Sequence, residues 1–423
     1  MKKITNHNIA IKDVWKWHYV EDTVHNVMSF FNYVEARPPI MISKDIIKNI
    51  YYSISDKEGL ENLYSQLFQI QSDEGLSLRP DGTVTYLSEF SKLSDDRSVN
   101  RIYYIGPMFR RSKSESSING QFHQFGAEAL GSSSYIVDVE IIRLGLSILK
   151  KFGLSDIKLE ISNFGCEKCR PSYLNKLEKY WKDKQDKLCK KCGSDYTLYK
   201  LESAECKHCH DLWDKSPSII GHLCEECTTN FTLVKKALAN LMITYSVNPK
   251  LKMSFEYYNH VVFRYHTVNQ KKFHYIGRGG RYDYLAKSIT GKPLPAIGLS
   301  VHIEELISLL ETKKLFPGQT QVFTVYILAA HPDLEITLLQ IVQELHENDI
   351  KVIVGSTESD YHNQLKNAQN DGSSLMIVLD NEKIREGKTT IINLVKNHRE
   401  IINIRDILKN VLRLKKALSN DVY

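Results

Sequence analysis

Eight cysteines, all between Cys166 and Cys227, form four CxxC pairs: Cys166/Cys169, Cys189/Cys192, Cys206/Cys209 and Cys224/Cys227. A CxxC turn aims two thiolates at one tetrahedral ion, and two such turns complete a closed site. Four turns therefore make two structural zinc sites. Sequential pairing is the simplest arrangement: Cys166, Cys169, Cys189 and Cys192 around one ion, and Cys206, Cys209, Cys224 and Cys227 around the other. His208 and His210 flank Cys209 and are alternative ligands, and a reduced segment that binds nothing is the plain alternative. No coordination position is left open, so such ions would fold the segment rather than catalyse. A disulfide framework would spread its cysteines through the chain and would want an oxidising compartment. Paired CxxC in a cytoplasmic chain reads as metal.

A second constellation runs from Arg101 to Glu128, RIYYIGPMFRRSKSESSINGQFHQFGAE. The spacing predicts a strand over Ile102–Arg110, a polar loop over Arg111–Gly120 carrying Lys113 and Glu115, and a return strand over Gln121–Leu130. Such a hairpin can grip a phosphate with Arg110 while its loop covers the ligand. Taken alone, an arginine ending a strand is more often a solvated edge residue. Upstream, Asp81-Gly82-Thr83 opens a helix, with Asp81 near the cap and Thr83 in the first turn. That pattern also suits a plain capping turn.

The elements that position these residues follow from periodicity. Val14, Trp17, Val20, Val24, Val27 and Phe31 recur at helical spacing and predict a core-packing helix over Asp13–Phe31. Asn32–Ile42 is expected to run into a strand, and further strands are expected at Leu67–Ile70, Leu76–Leu78 and Leu154–Ser162, with a helix over Asp138–Lys151. After the cysteine segment come a helix (Leu233–Met242), a hairpin (Met253–Thr267 with Lys272–Gly277), a Gly-Gly turn into a helix (Gly279–Ser288), a strand (Pro295–Val301) and a helix from Ile303. Lys313–Gln321, with Pro317-Gly318, reads as a linker. Beyond it strands at Val322–Leu328, Ile350–Val354 and Leu375–Leu379 alternate with helices at Leu334–Leu345, Tyr361–Gln369 and Ile404–Leu414. That alternation implies a parallel or mixed sheet covered by helices. Lys351, Lys366, Lys409 and Arg413 are scattered through this part and suit a solvated face.

YIGPMFRR…QFHQFGAE resembles motif 2 of the class II aminoacyl-tRNA synthetases, in the form found in histidyl-tRNA synthetases. LRPDGT (Leu78–Thr83) is similar to the LRPEGT amino-acid loop. FEYYNHVVF (Phe255–Phe263) is similar to a histidine-specific segment, and GGRYDYL with PAIGLSVHIEEL to the glycine-rich strands and motif 3. DYHNQLKNAQNDG resembles a run of the anticodon-binding domain. The resemblance spans almost the whole chain. It implies an α+β class II core, an antiparallel sheet flanked by helices, over residues 1–162 and 232–312. A Cys-rich zinc insertion would occupy 163–231, and an α/β anticodon-binding-like domain 321–423.

By position, the resemblance places Arg110 and Gln124 at the α-phosphate, Asp81 and Thr83 at the substrate ammonium, and Glu128 near the imidazole. Tyr257 and Tyr258 would wall the imidazole pocket, with Gly279, Gly280 and Tyr282 as its floor. Asp81 stands where the family has glutamate. Three further positions depart. Ser112 replaces the adenine-reading glutamate of motif 2, Met253 the histidine-specific arginine, and Glu305 the motif 3 arginine. The family's RGTxD entry before the first helix is also replaced, by TNHNIAI. A unit pair at ~4 Å with an effective dielectric near 20 is worth roughly 4 kcal/mol, and each ~1.4 kcal/mol is tenfold. Losing one cation and reversing another therefore predicts a paralogue that binds histidine or a related amino acid. It would be impaired in ordinary ATP-dependent tRNA charging. Arg264, Arg278 and Arg111 are candidates to compensate, and Arg264 could pair with Glu305. The alternatives are an active histidine–tRNA ligase or specialised aminoacyl ligase, which would need ATP and Mg²⁺, and a regulatory subunit of ATP phosphoribosyltransferase.

Length and charge agree with such readings. The 423 residues allow two or three domains, and a net charge of +6, from 56 basic and 50 acidic residues, tolerates a polyanion such as tRNA or a carrier. No apolar run is long enough for a membrane span. The start MKKITNHNIAIKD lacks an apolar signal core, so a cytoplasmic location is expected. Asn32–Ile42 resembles motif 1, the family's dimer interface, and implies a homodimer.

Overall fold

The structure, a computed structural model, describes residues 9–43, 66–71, 75–90, 99–111, 120–189, 206–251, 253, 257–269, 272–318, 322–355 and 360–420. Ser112, Lys113, Glu115 and Cys192 lie outside them. The chain divides into two compact units, Met1–Phe316 and Pro317–Tyr423.

The first unit is built on an eight-stranded sheet. Its strands are β1 (Val34–Glu35), β4 (Asn100–Arg110), β5 (Gly120–Leu130), β6 (Lys158–Asn163), β7 (Tyr245–Val247), β8 (Asn259–Asn269), β9 (Lys272–Arg281) and β10 (Ala296–His302), in the order β1-β4-β5-β10-β9-β8-β6-β7. The six central strands pair antiparallel, as expected. The two edge pairs, β1 with β4 and β6 with β7, are parallel, so the sheet is mixed. Asn32–Ile42 runs into a strand at Met41 and carries a second, shorter one before it. Pro38 and Pro39 lack the N–H a ladder needs, and the segment splits. Val34–Glu35 joins the main sheet, and β2 (Met41–Ser43) pairs with β3 (Leu76–Leu78) in a ladder of its own. Arg79, 5% exposed, pins this corner by donating to Pro38 O at 2.7 Å and Pro107 O at 2.8 Å.

One face of the sheet is covered by α1 (Val14–Phe30), α3 (Tyr135–Lys151) and α6 (Glu225–Asn240). Val20, Val24 and Val27 of α1 and Ile141, Leu144 and Ile148 of α3 lie in the same buried core. The other face carries α2 (Gly82–Phe90) and α7 (Asp283–Thr290) over Tyr104, Val262 and Tyr282. α8 (Ile303–Thr312) follows β10 directly.

The cysteine insertion leaves the core after β6. It runs through α4 (Arg170–Lys182) and α5 (Lys207–Asp214) and returns along α6, which starts at Glu225, eight residues earlier than its apolar spacing suggested. Its own apolar centre is small, with Leu177, Trp181 and Trp213 buried and the two indoles stacked 6.2 Å apart.

The second unit has a five-stranded sheet, β12-β11-β13-β14-β15, from β11 (Thr324–Ala329), β12 (Lys351–Val354), β13 (Leu375–Leu379), β14 (Lys388–Asn393) and β15 (His398–Asn403). The first three are parallel and the last two add an antiparallel hairpin. Its helices are α9 (Glu335–Glu347), α10 (Tyr361–Asn370), α11 (Asn381–Arg385) and α12 (Ile407–Asn420). Among the described residues, no helix is long and apolar enough to cross a membrane.

A buried ion pair ties α3 to the glycine-rich strand. Arg281 reaches Asp138 at 2.7 Å and Asp283 at 3.5 Å, and Arg281 and Asp138 are 2% and 0% exposed. Burial raises the Asp138 carboxyl to about 6 against the opposing pull of Arg281. Arg281→Ala should cost about 3–5 kcal/mol by urea denaturation at pH 8, because it strands a buried carboxylate. The loss should shrink as the pH falls toward 6 and level off below it, because without Arg281 the buried Asp138 carboxyl takes up its proton above the value of about 6 that it has beside the arginine.

Candidate functional site

The cleft lies on the face of the sheet that carries α2 and α7. Its lining includes Asp81, Thr83, Arg110, Gln124, Tyr257 and Tyr258, with Arg278, Tyr282, Ser300 and His302 opposite. The register explains how sequence-distant residues meet. Glu128 on β5 sits opposite Gly298 on β10, and Gly298 sits opposite Gly280 on β9. A strand alternates its faces, so Gln124 and Glu128 share one face. Gly298, Ser300 and His302 share it on β10, and Arg278 and Gly280 on β9, with Tyr282 just past its end.

Glu128 is 1% exposed and lies beneath the lining residues. Its Oε1 accepts from Thr83 Oγ1 at 2.6 Å and from the Tyr104 hydroxyl at 3.4 Å, and its Oε2 accepts from the Tyr282 hydroxyl at 2.5 Å. Gln124 donates to the same Tyr104 hydroxyl at 3.1 Å. Burial lifts the Glu128 carboxyl to about 8, more than the hydrogen bonds from Thr83, Tyr282 and Tyr104 pull it down. The carboxylate fits only because position 298 is glycine: a Cβ there would lie 1.7 Å from Oε2. Tyr104 likewise fills the space left by Gly82 and Gly126.

Asp81 both caps and lines. Its Oδ1 accepts from Val84 N at 3.0 Å at the start of α2, and the side chain faces the cleft. Burial raises its carboxyl, while that N–H, Arg110 and Arg278 oppose the rise. Arg110, at the end of β4, lies over the Phe122 ring at 4.6 Å. Burial, and then the charge of Arg278, lowers its guanidinium to about 10. The same Phe122 ring stacks on His302 at 4.7 Å. Burial and the two arginines keep His302 neutral, with its imidazolium form pushed down to about 3.

The three departures have distinct fates. Met253 is half-buried and packs against the apolar cluster that holds Tyr257 and Tyr258. Glu305, in the first turn of α8, is open to solvent, yet surrounding protein raises its carboxyl, with Arg278 the chief opposing charge. Ser112 lies outside the described residues. Arg264 does not pair with Glu305: it bonds Glu160 at 2.5 Å and covers Tyr275 at 4.3 Å. Arg111 lies over Phe68. Of the three candidate replacements only Arg278 lines the cleft. Gly279 also falls elsewhere. A Cβ there would meet Gly298 O at 2.2 Å and the Phe263 ring at 2.4 Å, on the core side of the sheet. His302 was not anticipated. Alternation from Gly298 through Ser300 would have found it, as alternation back from Tyr282 finds Arg278.

The cysteines do not pair sequentially. Cys166, Cys169, Cys224 and Cys227 converge at the root of the insertion, and Cys189 meets Cys206 and Cys209 at its far end. The first and fourth turns thus belong together, with the second and third nested inside. The root sulfurs Cys166–Cys169 and Cys166–Cys224 are 3.6 and 3.8 Å apart. Zn–S bonds of ~2.3 Å at tetrahedral angles separate sulfurs by roughly 3.8 Å, so this set fits one zinc. His208 instead contacts Lys187 O at 2.8 Å, and His210 stands with Asp211 and Asp214 in an exposed group.

A mixed, centrally antiparallel sheet with an arginine-ended hairpin, a capped Asp81 turn and a glycine-rich floor, followed by a separate α/β unit, defines a class II aminoacyl-tRNA synthetase architecture. The histidyl-tRNA synthetase family pattern matches residues 49–168 and 216–306, and an anticodon binding domain pattern matches 324–414. The histidine–tRNA ligase of Thermosipho melanesiensis is 30% identical over 404 residues, covering 95% of this chain and 96% of that protein. The structure of apo histidyl-tRNA synthetase from Staphylococcus aureus superposes with a TM-score of 0.79 at 25% identity, over 97% of this chain and all of that one. An ATP phosphoribosyltransferase regulatory subunit/histidyl-tRNA synthetase from Bacillus halodurans shares the fold, with a TM-score of 0.62 at 18% identity, over 87% of this chain and 96% of that one. The chain belongs to the histidyl-tRNA synthetase family.

Gly298→Ala should expel Glu128 from its seat and cost more than an ordinary surface change, about 1–3 kcal/mol in thermal or urea unfolding. Gly318→Ala, which has open space around it, is the neutral control.

Proposed function

We propose that this protein binds histidine or a close relative of it in the cleft above Glu128, and that it is impaired in ordinary ATP-dependent charging of tRNA. The observation that carries the second half is the charge around Arg110. The family's reaction needs cations where charge develops on the phosphates. Here Arg110 is joined by Arg278, while Glu305 faces both and Met253 is committed to packing. The chemistry of the lining suits an amino acid: Asp81 and Thr83 its ammonium, and Tyr257, Tyr258 and Tyr282 its ring. A second reading is favoured by Arg278 alone. It puts a guanidinium back into the cleft from β9, as an active ligase with rearranged cations would require. Such an enzyme would take ATP and Mg²⁺, and tRNA through the anticodon-binding unit.

Two features complete the proposal. Each cysteine cluster holds one structural zinc, and the CxxC spacing to Cys189 makes Cys192 the candidate for a fourth ligand beside Cys189, Cys206 and Cys209. Phe30, Val34, Ile40 and Met41, all exposed, form part of a homodimer interface through the segment that resembles motif 1.

Histidine-dependent ATP–pyrophosphate exchange separates the two readings. Wild type should exchange slowly, and Met253→Arg with Glu305→Arg should gain activity. A wild-type rate typical of synthetases, abolished by Arg278→Ala, would establish the rearranged ligase instead. Histidine binding also has a predictable proton balance. Glu128 is protonated in the empty cleft below about pH 8, and free imidazole is neutral above ~6.5. A bound pair sharing one proton therefore exchanges none with solvent between those limits. Calorimetry in buffers of differing ionisation enthalpy should show no proton transfer near pH 7, uptake above pH 8.5 and release below pH 6.

A further inference from the structure

The root cysteine cluster lies directly behind the aromatic wall of the cleft. Tyr257 and Tyr258 immediately precede β8. Their segment is held from the cysteine loop. Phe164 N donates to His260 O at 2.7 Å, and His260 N donates to Gly165 O at 3.0 Å. Arg170, next to Cys169, donates to Tyr258 O at 2.5 Å. Glu167, between the two cysteines, donates its N–H to the Tyr284 hydroxyl at 2.7 Å.

A side chain makes the same link. His260 Nδ1 lies 3.5 Å from Cys227 Sγ, and its Nε2 lies 3.9 Å from Asp283 Oδ2. His260 holds a positive φ of 50°, an uncommon conformation outside glycine. Asp283 follows Tyr282 and accepts from Ala296 N at 2.7 Å, which fixes the start of α7 to β10. The loop from Phe164 to Cys169 has no regular structure of its own. It is joined to the start of α6 through the cluster, where Cys224 N also donates to Cys169 Sγ at 3.1 Å. An ion bound by the four sulfurs would cross-link that loop to α6. An imidazole N–H to a thiolate is the usual kind of support around such an ion.

We propose that metal at Cys166, Cys169, Cys224 and Cys227 is a positioning element of the cleft. Its binding fixes the Tyr257–His260 wall and raises affinity for the amino acid, whereas metal at the far cluster leaves the cleft unchanged. Arg170 and His260 are the positioning residues that carry the effect. The affinity arm rests on the amino-acid reading above; the rigidity arm does not.

The experiment uses the full chain with Zn²⁺ and histidine as probes. Metal content, hydrogen–deuterium exchange over residues 257–263 and calorimetric histidine affinity are measured on wild type, Cys224→Ser, Cys206→Ser, Arg170→Ala and Arg170→Lys. Cys224→Ser should lose one zinc, lose protection over 257–263 and bind histidine roughly tenfold more weakly. Cys206→Ser should lose the other zinc and match wild type in exchange and affinity. Arg170→Ala should keep both zincs yet reproduce part of both losses, and Arg170→Lys should recover them. That pattern cannot come from global unfolding, and it survives if Cys224→Ser fails to fold. Unchanged protection over 257–263 in both Cys224→Ser and Arg170→Ala overturns the proposal, as does an equal effect of Cys206→Ser. If wild type binds no histidine but protection follows the root metal, the amino-acid reading fails and the positioning role stands.

Discussion

A carboxylate buried against a glycine is the constraint on which the rest of the cleft depends. Glu128 has lost nearly all contact with water, and its charged form is correspondingly disfavoured. It persists because three hydroxyls converge on it, from α2, from β4 and from the end of β9. Each of those donors needs its own support. Thr83 needs α2 to start where Asp81 caps it, Tyr104 needs the space above Gly126, and Tyr282 needs the glycine strand flat enough to bring it over Gly298. Gly298 of β10 is therefore a packing requirement of one acidic side chain, whereas Gly279 and Gly280 of β9 make room for Phe263, Val262 and the neighbouring strands.

Charge in the cleft is balanced rather than merely present. The charge of Arg278 depresses Arg110 and the two jointly keep His302 neutral, while Asp81 opposes the fall at Arg110. Buried charges without partners are costly. Arg110 and Arg278 reach the cleft from different strands, β4 and β9, and Asp81 lines it with them. Two guanidiniums thus share one buried surface, and the nearby carboxylate offsets part of that cost.

Much of this was legible in the sequence where a local rule had no rival. The arginine-ended hairpin, the capped Asp81 turn and the strand Leu375–Leu379 each answer to spacing or a single cap, and they fall where expected. The failures are all tertiary. Alternation along β9 names Arg278 as cleft-facing only once β9 is known to extend through Gly280, whereas glycines suggested a turn. Arg264 looked like a partner for Glu305 because charges had been exchanged in sequence, yet β6 lies beside β8 and offers Glu160 first. The hairpin Lys388–Asn393 with His398–Asn403 was missed because its outer strand is polar and half-exposed, so alternation is faint.

The nesting of the cysteine pairs has a different cause. Sequential pairing is attractive because it closes shorter loops, but each doubling of loop length costs only about 0.6 kcal/mol. Cys166 and Cys224 are 58 residues apart, yet neither is free to wander. One follows β6 and the other precedes α6, and both of those elements are fixed by the main core. The core has already brought the ends of the insertion together, so the root site forms at little further entropic cost. The far site has no such help. Leu177, Trp181 and Trp213 are too small a core to hold α4 and α5 alone, and a cross-link among Cys189, Cys206 and Cys209 is what such a segment needs. Root and far sites therefore have different dependencies: the root borrows order from the synthetase core, and the far site must create its own.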